Sequence, residues 1–214
     1  MTTNTVRTAL GRFLGVVLDP QTYRNLAYLL LTFPLGILYF TVIVSGGSAG
    51  LSLIPLLVGA PVLVGVLALA PALADVETRL ARGLLGTDVT YETPLRAGDE
   101  AGIGEFVKGL VLDPRSYLAV GYLLSKFVIG IAAFVALVTS AAVSAAFAVA
   151  PLLYDRPGVT YQVGAWSVET LPVALGLSAA GVLFALVSLH LFNGAAWLVG
   201  EYTEVMLGST HRDG

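Results

Sequence analysis

Lys126, His190 and Asn193 are the residues of this chain best placed to do chemistry, because each stands inside an otherwise apolar stretch. An ionisable side chain within a lipid-crossing helix is costly to bury and marks a functional site by default. Lys126 lies about nine residues in from the start of the third apolar stretch, and His190 and Asn193 lie about eight to eleven residues before Glu201. Their depths match, which predicts a polar cluster facing the interior of a helix bundle. The plainer reading is that Lys126 snorkels to the headgroups and His190 is a satisfied core residue. Catalytic arrangements fail on geometry. Ser178 and His190 share one helix and stand roughly 18 Å apart at 1.5 Å rise per residue, beyond the reach of a nucleophile and its base. No Asp or Glu falls inside an expected span, His190 and His211 are isolated from one another, and cysteine is absent. Carboxylate dyads, metal sites, thiolate chemistry and disulfides are therefore not expected, and neither is a cofactor.

The elements that carry these residues follow from where charge is missing. Residues 25–74, 127–154 and 170–200 contain no Asp, Glu, Lys or Arg, and 57% of the 214 residues are hydrophobic. Each window exceeds the roughly 20 residues a bilayer span needs. Four transmembrane helices are expected, at about 26–44, 51–74, 117–148 and 171–199, with the glycine-rich Ser45–Gly50 as the first reversal. Pro55, Pro61 and Pro71 predict kinks in the second helix. Residues 75–115 hold 13 of the 25 charges and read as a water-facing segment too short for an enzyme domain. Arg7, Arg12, Arg24, Arg79, Arg82, Arg96, Lys108, Arg115 and Arg212 fall on one side of these spans and Arg156 on the other. That asymmetry predicts a multi-pass protein of the cell membrane with both termini in the cytoplasm. Val6, Leu10, Phe13, Leu14 and Val17 recur at helical spacing, as in a short amphipathic helix lying on the bilayer surface or packed on the base of the bundle. The net charge of −3 offers no basic footprint for nucleic acid.

A shift of 94 residues lays Gly15–Val44 over Gly109–Val138 with 14 of 30 positions identical. Gly15, Asp19, Pro20, Tyr23, Tyr28, Phe33, Gly36 and Phe40 meet Gly109, Asp113, Pro114, Tyr117, Tyr122, Phe127, Gly130 and Phe134, a set that shared apolar bias does not produce. The chain thus reads as one membrane domain, 1–214, built from repeats at about 6–86 and 101–208. Each copy opens with Leu-Asp-Pro, where Asp can cap the helix and Pro loses no needed donor. Two spans per copy give like-oriented hairpins related by an axis along the membrane normal, as in parallel repeats. The fold class is all-α integral membrane, with short amphipathic interfacial helices and one sizeable external loop between the third and fourth spans. A shift of 122 aligns Leu85-Gly86 with Leu207-Gly208 and places Arg79 and Arg82 opposite Glu201 and Glu204, pairs that could contact each other or a cytoplasmic partner. In the external loop, Tyr154, Tyr161 and Trp166 are candidate interfacial anchors, or with Asp155 and Arg156 a ligand-contacting cap. Ala132, Ala136, Ser140 and Ser144 form a small-residue stripe that reads as a packing seam.

The run Leu18-Asp19-Pro20-Gln21-Thr22-Tyr23-Arg24-Asn25-Leu26-Ala27-Tyr28-Leu29-Leu30, then Phe33-Pro34-Leu35-Gly36, and later Glu77 to Gly86 with its basic pair, resembles the putative sensor domain family. That family is a four-helix membrane module with repeated halves, often found at the N-terminus of bacterial and archaeal histidine kinases. The resemblance covers essentially the whole chain, while only six residues follow Gly208, so no kinase half, phospho-acceptor histidine or nucleotide site carries over. It implies a non-enzymatic module in the lipid bilayer that biases a separate protein partner. A structural accessory subunit or scaffold of a membrane complex is the second reading, and a small transporter using the Lys126 cluster the third; a homo-oligomer is compatible with each.

Overall fold

The computed structural model describes residues 13–91, 102–158 and 161–208. Arg7, Arg12, Arg96, His211, Arg212 and the start of the N-terminal amphipathic pattern lie outside them. Four helices in the described residues are long and apolar enough to cross a membrane: α1 (Pro20–Ser52), α2 (Gly59–Leu85), α4 (Pro114–Ala148) and α6 (Leu171–Leu207). The chain is accordingly an all-α, multi-pass membrane protein. A ten-residue helix α3 (Ile103–Leu112) precedes α4, a single turn α5 (Ala150–Leu153) follows it, and a two-stranded antiparallel hairpin pairs β1 (Gln162–Val163) with β2 (Trp166–Ser167).

The Leu-Asp-Pro tripeptides start both hairpins in the same way. Asp19 Oδ1 accepts the backbone N–H of Gln21 at 2.9 Å, and Asp113 Oδ1 accepts that of Arg115 at 2.9 Å. One turn on, the Tyr23 hydroxyl donates to the Val17 carbonyl at 2.8 Å and the Tyr117 hydroxyl to the Val111 carbonyl at 3.0 Å. Both helices are thus capped by an aspartate side chain and tied back by a tyrosine.

Several boundaries differ from the sequence expectation: α1 begins at Pro20 and not near 26, α2 at Gly59 and not near 51, and α6 runs on to Leu207 and does not end near 199. The first helix does not stop at Ser45: it runs through the glycines to Ser52, and the reversal is made by a 3-10 turn over Ile54–Leu56. In apolar surroundings the backbone keeps its hydrogen bonds, and glycine here serves close approach. A Cβ at Gly46 would stand 2.5 Å from Val66, and one at Gly50 2.7 Å from Leu63. The second helix likewise does not end at Ala74 but continues to Leu85, closed by Gly86 in the left-handed conformation at φ 71°. Its buried face carries Ala70, Ala74, Glu77, Thr78 and Ala81, so a carboxylate does lie inside a membrane helix.

The chain divides into two compact units, Met1–Tyr23 with Val135–Gly194 and Arg24–Phe134 with Ala195–Gly214. In the larger, Tyr39, Ile43, Ala70, Ala74, Ala119, Tyr122, Leu123 and Leu207 form the core. Here α1 and α4 cross with almost no side chain between them. A Cβ at Gly36 would meet the Lys126 carbonyl at 2.8 Å, and one at Gly130 the Thr32 carbonyl at 2.6 Å. Phe33 stacks on Phe134 at 4.3 Å and Phe40 on Phe127 at 4.4 Å. Positions 94 apart therefore exchange partners across the crossing instead of pairing in register, the pattern of a local twofold axis. Gly200 of α6 faces Leu85 and Thr87 at the end of α2, so the C-terminal portions of these two helices lie together.

In the smaller unit, Ala150, Val168 and Ala174 make a cluster against which Tyr154, Tyr161, Val163 and Leu177 pack. Ser144 and Phe147 receive Gly181 of α6, whereas Ala132 and Ala136 of the small-residue stripe are exposed.

Candidate functional site

Lys126 is fully buried in α4, and its partners come from two other helices. Its ammonium lies 2.9 Å from Glu77 Oε1 on α2 and donates to the Tyr28 hydroxyl of α1 at 2.6 Å. Tyr28 in turn donates to Glu77 Oε1 at 2.8 Å, and Tyr39, three turns further along α1, donates to Glu77 Oε2 at 2.9 Å. One carboxylate, 1% exposed, thus accepts three donors from two helices. The lysine also stands 4.9 Å from the Tyr28 ring and 5.1 Å from the Tyr122 ring, which adds cation–π attraction in a desolvated setting. Thr203 of α6 donates to the Val199 carbonyl, so its oxygen is left to accept the Tyr122 hydroxyl at 2.9 Å. Ser125 and Tyr202 extend this shell at 2.7 Å.

Small neighbours make room for the long side chains. Ala74 and Ala81 flank Glu77 on the buried face of α2, and Ala119 and Leu123 accompany Lys126 on that of α4. The centre belongs to one side of the local twofold alone. The position equivalent to Lys126 is Thr32, whose hydroxyl donates back to the Tyr28 carbonyl, and the position that the 122-residue shift pairs with Glu77 is Val199.

The expected partners of Lys126 are engaged elsewhere. His190 is exposed, stacks on Phe13 at 4.9 Å and approaches the Phe13 carbonyl through Nε2 at 3.1 Å. Asn193 donates to Thr22 at 2.9 Å. Arg79 pairs with Asp75 one turn away at 2.6 Å, and Arg82 donates to the Val89 carbonyl at 2.6 Å. Glu201 is exposed and Glu204 partly so. In the external loop Tyr154 and Tyr161 are drawn into the small apolar cluster, with the Tyr161 hydroxyl donating to the Ala146 carbonyl, while Asp155 and Arg156 remain exposed. Ser178 donates to the Ala148 carbonyl.

Sequence reasoning missed Glu77, because Asp75 and Arg79 beside it look water-facing and close the uncharged window. The signal was the small-residue face of Ala70, Ala74, Thr78 and Ala81, which continues past Ala74, where the expected span ends, with Glu77 on the same side of the helix.

Outside the spans, burial pushes the Tyr91 phenol up to about 12, with Asp113 and Asp75 adding to the rise and Arg115 opposing it. Its stability contribution is complete below the ordinary tyrosine value near 10 and is lost as pH climbs towards 12. Among the described residues no group of three His, Cys, Asp or Glu side chains could hold a metal ion. Chemically, the Lys126 centre is a buried ion pair that fastens α1, α2 and α4 to one another. Removing one tyrosine hydroxyl leaves a carboxylate oxygen short of a donor, so Tyr39→Phe is expected to lower stability by about 1.5–3 kcal/mol. Tyr28→Phe, which also strips an acceptor from Lys126, is expected to cost more. Chemical unfolding of the two variants in detergent micelles checks the order.

The family model described as Putative sensor matches residues 28–207. No curated protein and no solved structure matches the chain.

Proposed function

Because the chain belongs to the Putative sensor family, we propose that it is a non-enzymatic membrane signalling module that modulates a separate protein partner through small shifts of its helices. A switch of this kind needs two packings separated by a few kcal/mol and an element both sides can bias. The observation that carries the reading is the Lys126–Glu77 pair, a desolvated bond between α4 and α2 that is either made or broken. Its tyrosine donors on α1 join the third helix, so a shift at one end of the crossing changes the contacts at the other. The exchanged Phe33–Phe134 and Phe40–Phe127 contacts support an origin of the two halves by duplication. In this reading the ends of α2 and α6 face the cytoplasm with both termini, and Arg79, Arg82, Glu201 and Glu204 are the surface offered to the partner. The full burial of Lys126 and its pairing with Glu77 and Tyr28 support this reading over that of a transporter with a substrate-binding lysine.

Pulsed electron resonance between spin labels at Gly83→Cys and Val205→Cys tests the switch, and the cysteine-free chain makes the labels unique. Two distance populations are expected in lipid nanodiscs, with Lys126→Met collapsing them into one. A single distribution indifferent to Lys126→Met sinks the signalling reading in favour of the fixed structural subunit.

A further inference from the structure

The turn between α1 and α2 is apolar throughout. Leu51, Ile54, Leu56, Leu57 and Val58 are 63, 49, 68, 87 and 54% exposed, and the nearest charged residues along the chain are Arg24 and Asp75. A turn that met water would carry Asn, Asp, Gly or Ser. Leu57 moreover holds φ 61°, the one left-handed residue other than glycine among the described positions. An L-residue with a bulky side chain bears roughly 1–2 kcal/mol of strain there, which asparagine or glycine would lessen. This almost fully exposed leucine therefore presents apolar surface at the tip of the hairpin in spite of the strain.

Helix length says where that surface goes. Asp75 and Arg79 form an ion pair whose side chains are 29 and 67% exposed on the outside of the bundle, so this pair belongs at the headgroup boundary and not in hydrocarbon. From Asp75 back to Gly59 the helix rises about 24 Å at 1.5 Å per residue, and any tilt shortens that span. The hydrocarbon core is about 30 Å thick. The short leg of the hairpin therefore runs out before it reaches the far headgroups.

We infer that the α1–α2 turn is a lipid-binding tip, with Ile54, Leu56 and Leu57 set among the acyl chains of the far leaflet and not in the aqueous phase. Acyl packing in that leaflet then bears directly on the hairpin that carries Glu77. The claim concerns depth alone and holds whether or not the module signals.

The test is the depth of a single tryptophan. Leu56→Trp, made with Trp166→Phe and Trp197→Phe, is reconstituted in phosphatidylcholine vesicles with brominated acyl chains. Emission blue-shifted from that of tryptophan in water is expected, with at least about twofold quenching by the bromolipid and weak quenching by acrylamide, as for a side chain below the headgroups. Strong acrylamide quenching with no bromolipid effect overturns the inference. Ile54→Trp, at the other end of the turn, must give the same result, so a folding failure of one variant does not decide the matter. Leu57→Asn separates the two environments again. It relaxes the backbone and raises thermal stability if the turn is wet, and lowers stability in the same vesicles if the turn is embedded as inferred.

Discussion

Lys126→Met is expected to destabilise the protein by about 3–5 kcal/mol, because it leaves the Glu77 carboxylate buried without its counter-charge. The lysine is 0% and the glutamate 1% exposed, so no water is at hand to replace the lost partner. Glu77→Met alone should do comparable damage by stranding the ammonium among Tyr28, Tyr122 and the small residues of α2. The double variant Lys126→Met/Glu77→Met removes both charges. It should recover most of the loss, since an apolar pair of similar volume avoids the desolvation that the ion pair had to overcome. Reversible unfolding by circular dichroism in mixed micelles across all four proteins gives the coupling energy directly. Additive single effects, with the double variant the least stable of all, would mean that the two charges do not act as a pair.

The second large effect lies at the crossing of α1 and α4. Gly36→Ala puts a methyl group 2.8 Å from the Lys126 carbonyl and the Phe127 Cα, and Gly130→Ala puts one 2.6 Å from the Thr32 carbonyl. These obstacles are backbone atoms, so the helices must separate, at a cost of about 1–3 kcal/mol each. Separation also unstacks Phe33 from Phe134 and Phe40 from Phe127, each pair contributing about 0.5–1.5 kcal/mol beyond its buried area. Because the two glycines occupy equivalent places, their effects should be similar in size. Cross-linking of Phe33→Cys with Phe134→Cys checks the geometry, and either alanine should lower its yield. Unchanged cross-linking in both variants would refute the close crossing.

Much of this architecture was legible in the sequence, for identifiable reasons. Charge-free windows longer than a bilayer span leave no alternative to membrane helices, and the Leu-Asp-Pro pairs marked two helix starts that Asp19 and Asp113 cap as expected. The depth of Lys126 in an apolar helix pointed to a buried polar centre, and the lysine is buried. Its partner was not legible. Glu77 falls three residues beyond Ala74, the last position of the charge-free window, between Asp75 and Arg79, and composition alone cannot tell a carboxylate facing the core from two charges facing out. The same blindness to helix face moved the first reversal: Ser45–Gly50 has turn composition, yet Gly46 and Gly50 are helical contact points for Val66 and Leu63. Aromatic residues of the external loop read as ligand contacts or interfacial anchors, and Tyr154 and Tyr161 also pack, partly buried, against a small core that periodicity could not reveal.

In the proposed arrangement both hairpins enter the membrane from one face, so that the ends of α2 and α6 would form one cytoplasmic surface next to the Lys126 centre. Gly200 packed on Leu85 and Thr87 favours that arrangement. Its most direct test is labelling of single cysteines at Gly83, Glu201 and Arg156 in intact cells with a membrane-impermeant maleimide. Gly83→Cys and Glu201→Cys should both react only after the cells are opened, and Arg156→Cys should react from outside. Labelling of Gly83→Cys and Glu201→Cys from opposite sides would contradict the account.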